Sequence, residues 1–311
     1  MQTLTLGILA GLTNAFFSAL SYLLSRHHGQ KHRGGSFQLL VLAHVLMGII
    51  CIPISWILLP DQLPKPEAWL PPLVYSAVAY LSGQTALFFT LRRIHASQLA
   101  PLLGLKVAVL ALIVSFVLGH PLSGIQWFAV MISIIAATLL HTSGASAPRH
   151  AVLMVIGICL CFAIADLLII ELIDVVSHSN HLPHSTQTTM QNRIWASGFA
   201  MTTTYVLCGL IVTPLLFFMR QRTHVGWPAA FQYASAWMIA MVAHYTCFGL
   251  VGAVFGTILQ STRGVMAIGL GACLASMGWH DLEQLVDQRT LIRRIIAALM
   301  MTAAIAIYAL A

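Results

Sequence analysis

Three ionisable side chains stand where an apolar sequence has least reason to keep them. Lys106 lies in Leu103-Gly104-Leu105-Lys106-Val107-Ala108-Val109, Arg263 follows Gln260-Ser261-Thr262, and Asp166 follows Ala163-Ile164-Ala165. Near the centre of a membrane span each charge costs ~2.5–3.5 kcal/mol on the insertion scale. From there a headgroup is ~15 Å away, too far for a side chain to snorkel. Both cationic heads are therefore expected to face protein or a water-filled cavity, on a substrate or ion path. Asp166 has two readings: a static counter-charge for one cation, or a desolvated carboxyl that takes up a proton and couples transport. Even with Asp166 ionised, two fixed positive charges oppose one negative, and an uncompensated charge in low dielectric is costly. A phosphate, sulfonate or carboxylate arriving there would remove the imbalance. Arg263 would grip it as a bidentate fork, with Lys106 as a point charge.

The expected substrate-binding set is Lys106, Arg263, Gln260, Ser261, Thr262, His44, His244, Tyr245, Gln84 and Asn14, all within apolar runs, with Asp166 as coupling or counter-charge group. Gln260 to Arg263 are four consecutive polar residues, costly inside a span unless they line a cavity. Tyr80 and Tyr205 are further polar residues within spans. His44 and His244 suit an interhelical hydrogen bond as well as a proton or substrate role. Pro101 and Gly104 would loosen the chain just before Lys106, as in the interrupted helices of transporters. His178, His181 and His184 could together take zinc, copper or nickel, but their spacing around Pro183 matches no standard site, and a solvated loop is the expected reading. There is no Gly-x-Ser-x-Gly, His-Glu-x-x-His or phosphate-binding loop. Neither an enzyme nor an ATP-driven pump is expected, and no cofactor.

The elements that must carry these residues follow from composition. Of 311 residues 59% are hydrophobic and 7% charged, against about a quarter charged in a soluble domain. Mean hydropathy is +0.88. Apolar windows predict an all-α polytopic membrane protein with ten helices, at roughly 4–24, 37–58, 69–91, 97–118, 124–142, 151–176, 194–219, 230–250, 253–277 and 290–310. The first has no Ala-x-Ala-type site before its basic flank, so no cleaved signal peptide is expected. The six cysteines (Cys51, Cys159, Cys161, Cys208, Cys247, Cys273) lie in apolar runs and read as small hydrophobes. Six of seven tryptophans fall at predicted span ends, where an indole suits the headgroup layer; Trp237 is the exception.

The polar stretch His141–His150 divides the spans five and five. The expected domains are a first five-helix repeat over 1–142, a linker over 143–150 and a second repeat over 151–311. Five is odd, so the second repeat would be inverted. His120-Pro121-Leu122-Ser123 after the fourth span is weakly echoed by His280-Asp281-Leu282-Glu283 after the ninth. Loops after odd-numbered spans carry Arg26, Lys31, Arg33, Arg92, Arg93, Arg149, Arg220, Arg222, Arg289, Arg293 and Arg294; those after even-numbered spans carry Lys65 and Arg193. Eleven against two places both termini outside. The net charge of +7 is thus explained by a cytoplasmic membrane face, without nucleic acid.

Ala86-Leu87-Phe88-Phe89 followed by Ile94-His95-Ala96-Ser97-Gln98-Leu99-Ala100-Pro101 resembles the passage from helix three to helix four in the EamA-like group of the drug/metabolite transporter superfamily. His120-Pro121-Leu122-Ser123 stands where that family usually has Gly-Glu-x-Leu, and Ile125 to Leu140 resembles its fifth helix. His120 in place of the glutamate removes one charge. The resemblance implies an alternating-access transporter with its site between the halves, in a bacterial inner membrane, with both termini cytoplasmic, opposite to the charge count. Basic residues on later helices hold phosphate in related sugar-phosphate carriers, and Arg263 is placed similarly. The expected function is secondary active transport of a small anionic metabolite. The alternatives are an exporter of amino acids or amphipathic drug-like metabolites and, less favoured, a histidine- or metal-dependent intramembrane protein. Expected partners are a small-molecule substrate, the lipid bilayer, and a coupling proton or counter-substrate; the sequence does not set the oligomeric state.

Overall fold

A computed structural model describes residues 2–31, 35–60, 62–91, 99, 102–141, 149–178, 186–219, 226–276 and 288–311. These residues are helical with short turns, and no strand occurs among them. In chain order the helices are α1 (Gln2–Lys31), α2 (Gly35–Ile57), α3 (Pro66–Leu91), α4 (Lys106–Leu112), α5 (Gly124–His141), α6 (Arg149–His178), α7 (Thr186–Val212), the short α8 (Leu215–Phe218), α9 (Gly226–Val251), α10 (Ala253–Ser261), α11 (Arg263–Ser276) and α12 (Gln288–Leu310). Among the described residues six helical stretches are long and apolar enough to cross a membrane: Gln2–His28, Gly35–Ile57, Leu153–His178, Thr189–Phe218, Gly226–Val251 and Ala253–Cys273.

The side chains are distributed as lipid requires. Large apolar groups such as Ile57, Phe116, Phe217 and Phe218 point outward, while Asn14, His44, Gln84, Lys106, Asp166, His244 and Arg263 are buried inside. A water-soluble fold would reverse this. Of the tryptophans expected at span ends, Trp56 is 74% exposed near the end of α2 and Trp227 is exposed at the start of α9. Trp237, the exception, is buried in the interior.

Two predicted spans are interrupted and a third changes helix type along its length. In the span predicted over 97–118, a single 3₁₀ turn (Leu103–Leu105) leads without a break into α4, which passes into a π-helical turn at Ile113–Val117. There the Leu118 amide donates to the Ile113 carbonyl five residues back. Gly119, at φ +68°, follows. The span predicted over 194–219 ends as α7 at Val212, just before Pro214, which has no N–H to continue the ladder. The span predicted over 253–277 divides at Thr262, whose hydroxyl donates back to the Leu259 carbonyl, a bond that bends helices. Two helices overrun prediction. α1 continues through Arg26–Lys31 and α7 begins at Thr186, polar turns that a hydropathy window cannot register. The segment with Arg92, Arg93, Ile94 to Gln98, Ala100 and Pro101 lies outside the described residues, as do 142–148 and His280 to Glu283.

The principal helix contacts are α1 with α9, α3 with α6, α2 with α7, and α5 with α12. At the α2–α7 crossing, Gly48 and Gly209 face each other so closely that a methyl on either would lie 2.9 Å from the other's Cα. This is the small-residue contact by which helices associate in lipid. α9 and α10 are joined by one residue, Gly252, at φ +78° and ψ 175°, a conformation essentially confined to glycine. Nearby, Arg193 ties three helices together: its guanidinium meets the Asp174 carboxylate of α6 at 2.5 Å and donates to the Gly249 carbonyl of α9 at 2.6 Å. The sharp turn and this tie fix where α9 and α10 descend into the interior.

Candidate functional site

α4, α6, α9 and α10 bring their polar residues to one place. Lys106, first residue of α4, donates from Nζ to Asp166 Oδ2 on α6 and to Gln260 Oε1 on α10, both at 2.5 Å. His244 Nε2 on α9 lies 3.2 Å from the other Asp166 oxygen. Asn14 Nδ2 on α1 lies 3.2 Å from His244 Nδ1, and Ser18 Oγ donates to Asn14 Oδ1 at 2.9 Å. With the Asn14 amide nitrogen donating, Nδ1 is the acceptor and the ring proton sits on Nε2, aimed at Asp166. His244 is then a neutral imidazole. Lys106 and Asp166 are buried together, each nearly out of contact with solvent.

Arg263 opens α11 on the same cavity and is differently placed. It is 4% exposed. Nη1 donates to Tyr22 Oη at 3.1 Å, and the guanidinium carbon stands 5.3 Å from the Tyr22 ring centroid. Its Nε has no hydrogen-bond partner, and no acid pairs with it among the described residues. One lysine, one arginine and one aspartate beside a neutral histidine leave the site with one positive charge in excess.

The charged end belongs to a cavity with about 420 Å³ of empty space, counting the solvent at its mouth. Lys106, Asp166, His244, Gln260 and Arg263 form its polar part, and Tyr22, Tyr80, Phe162, Tyr205, Trp237 and Tyr245 an aromatic wall. Trp237 organises that wall. Its Nε1–H lies 2.7 Å from both Tyr80 Oη and Tyr205 Oη. Its ring stacks with Tyr22 at 6.0 Å and with Tyr233 at 5.9 Å. The Tyr80 hydroxyl also meets His44 Nε2 at 3.1 Å, while His44 Nδ1 donates to the Leu40 carbonyl at 2.8 Å.

Of the residues expected to bind substrate, Lys106, Arg263, Gln260, His244 and Tyr245 line the cavity with Asp166, and five stand behind it. Asn14 braces His244, and His44 braces Tyr80. Gln84 donates to Tyr233 Oη at 2.6 Å. Ser261 meets Ser133 on α5 at 3.2 Å, and Thr262 bonds its own helix. The run Gln260–Arg263 thus presents its first and last members to the cavity and turns the middle two away, as helical spacing dictates. Glu171 and Asp174 lie further along α6 and do not line it. His178 bonds the Asp174 carbonyl at 2.6 Å; His181 and His184 lie outside the described residues. Of the aromatic wall, the sequence marked Tyr245 as a binding residue, Tyr80 and Tyr205 as polar residues within spans and Trp237 as a tryptophan away from a span end, while Tyr22 and Phe162 were not singled out.

No curated protein matches the chain. Twenty-six chains of solved structures do. One, a crystal structure of a protein, aligns with a TM-score of 0.63 at 15% identity, over 99% of this chain and 97% of its own. At that identity the likeness is one of fold. A family model matches residues 5–142, under the description EamA-like transporter family. Six membrane-length apolar helices among the described residues and a polar interior make the chain an integral membrane protein, and over residues 5–142, a little under half of its length, it is similar to the EamA-like transporter family.

Proposed function

We propose that this protein is a secondary active transporter of a small anionic metabolite, working by alternating access between two inverted five-helix repeats, 1–142 and 151–311. The observation that carries the anion is Arg263: a buried guanidinium on the cavity, with an unpartnered Nε and no acid paired with it among the described residues. Leaving such a charge without a counter-ion is costly, and a bound anion removes that cost. Arg263 and Lys106 bind the anionic group. Asp166 holds Lys106 and serves as counter-charge or, on protonation, as the coupling group.

The repeat is supported by the contact pattern. In repeat order α1 is the first helix of the first half and α9 the third of the second; α6 is the first of the second half and α3 the third of the first. The pairs α1–α9 and α3–α6 therefore exchange when the halves are exchanged, while α2–α7 and α5–α12 map onto themselves. Inverted-repeat transporters bind substrate at such an interface, near the midplane.

Uptake of labelled small anions into proteoliposomes tests the reading. Arg263→Ala should weaken half-saturation roughly ten- to hundredfold, the loss expected for one charge-assisted hydrogen-bonding group. Arg263→Lys should keep part of the affinity, since it keeps the charge and loses the fork. Undiminished transport in Arg263→Ala and Lys106→Ala, both still folded and monodisperse, would remove the anion site.

A further inference from the structure

Resting on the reading of this cavity as an anion transport site, we infer that the ligand is a monocarboxylate on an apolar, ring-sized body, carrying no cationic amine. Charge comes first. The site holds one excess positive charge, so a monoanion brings it to neutrality, whereas a phosphate dianion leaves it negative. Lys106 has three N–H donors, of which Asp166 and Gln260 take two. Its third, with the Arg263 Nε, suits the two oxygens of one carboxylate.

The acid of the site is already engaged. Asp166 meets Lys106 at one oxygen and His244 at the other. An ammonium group entering beside Lys106 and Arg263 would find no open carboxylate and two like charges. An amino acid is therefore a poor fit, even one with an aromatic side chain.

The wall sets the body. The polar tips of Trp237, Tyr80, Tyr205 and Tyr22 are hydrogen-bonded to one another or to Arg263 and His44. They have little to offer the hydroxyls of a sugar or polyol. What faces the cavity is ring surface, with Phe162 and Met241 alongside. A flat apolar body suits such a wall through offset and edge-on ring contacts.

Thermal unfolding of the purified protein in detergent, over a concentration series of each probe, separates the classes. The probes are naphthoate, its uncharged analogue naphthamide, L-tryptophan and glycerol phosphate. Naphthoate is expected to raise the unfolding temperature, with the other three inert at equal concentration. Arg263→Ala should require at least tenfold more naphthoate for the same rise, and Arg263→Lys, which keeps the buried charge, checks the result should the alanine variant fail to fold. Protection by tryptophan as strong as by naphthoate overturns the exclusion of the amine. Protection by naphthamide overturns the need for charge. Protection by glycerol phosphate alone overturns the ring-sized body and leaves the anion transporter standing. No protection by either anion, together with Arg263→Ala transport equal to wild type, overturns both readings.

Discussion

Lys106 and Asp166 leave water together, and neither would be tolerated there alone. Removing one partner of a buried pair typically costs 3–5 kcal/mol, because the other charge stays behind, whereas replacing both by apolar groups of similar size is often neutral or stabilising. Asp166→Asn should therefore destabilise the protein by about 3–5 kcal/mol, and Lys106→Met with Asp166→Leu should recover most of that. Thermal or denaturant unfolding in detergent reads both. A double variant as unstable as Asp166→Asn would mean that Gln260, His244 and Asn14 depend on the pair for their own hydrogen bonds. Sequence carried much of this site: Lys106, Arg263 and Asp166 were visible as charges in apolar runs. Their pairing was not visible, since Asp166 is 60 residues from Lys106 and Gln260 is 154 residues away. The aromatic wall was hidden for another reason. Tyrosine, tryptophan and phenylalanine suit lipid, helix interfaces and cavities alike, so Tyr80, Tyr205, Tyr245 and Trp237 stood out only by their positions within spans, and Tyr22 and Phe162 not at all.

At the scale of elements, two glycine positions do different work and predict different failures. Gly252 has nothing within 4 Å of where a side chain would begin, so space is not its constraint. Its φ of +78° with ψ of 175° is the constraint. Gly252→Ala should cost about 1–3 kcal/mol from backbone conformation alone. Asparagine should not restore it, because this is not the left-handed helical region that asparagine tolerates. Gly209 is the opposite case, an ordinary helical backbone pressed against Gly48. Gly209→Val must push α7 off α2 and should cost about 1–3 kcal/mol as overpacking. Unfolding temperatures of the two variants test both, and a Gly252→Ala variant as stable as wild type would show that the turn relaxes. Hydropathy placed most helices within a few residues because twenty apolar residues are hard to mistake. It missed the break at Thr262 and the π turn at Ile113–Val117 because these are set by hydrogen bonds, which an average over a window removes.

For the whole molecule the open physical question is which way it sits in the bilayer, and two arguments disagree. Loops after odd-numbered predicted spans, taken with the first turn of the last span (Arg293 and Arg294), hold eleven lysines and arginines against two after even-numbered ones. Short basic loops resist translocation, so by this argument both termini would lie outside. The family resemblance suggests cytoplasmic termini instead. The charge argument acts through this chain's own residues during insertion and is the one we carry forward. The ten spans proposed would put both ends on one side whichever argument holds, so the experiment needs two kinds of answer. Alkaline phosphatase fused at Ala311 should be active and a green fluorescent protein there dark, since the first matures outside and the second inside. A fusion at either end should report the same side. Ends on opposite sides would remove the ten-span count and with it the inverted repeat. Ends together but cytoplasmic would leave the repeat intact and reverse only the direction in which the cavity is read. A further variant separates charge from fold: moving basic residues from the loop at Arg26–Arg33 to the one holding Lys65 should raise the share of molecules in the opposite orientation. If the reporters do not respond, orientation is set by the spans themselves rather than by the loops between them.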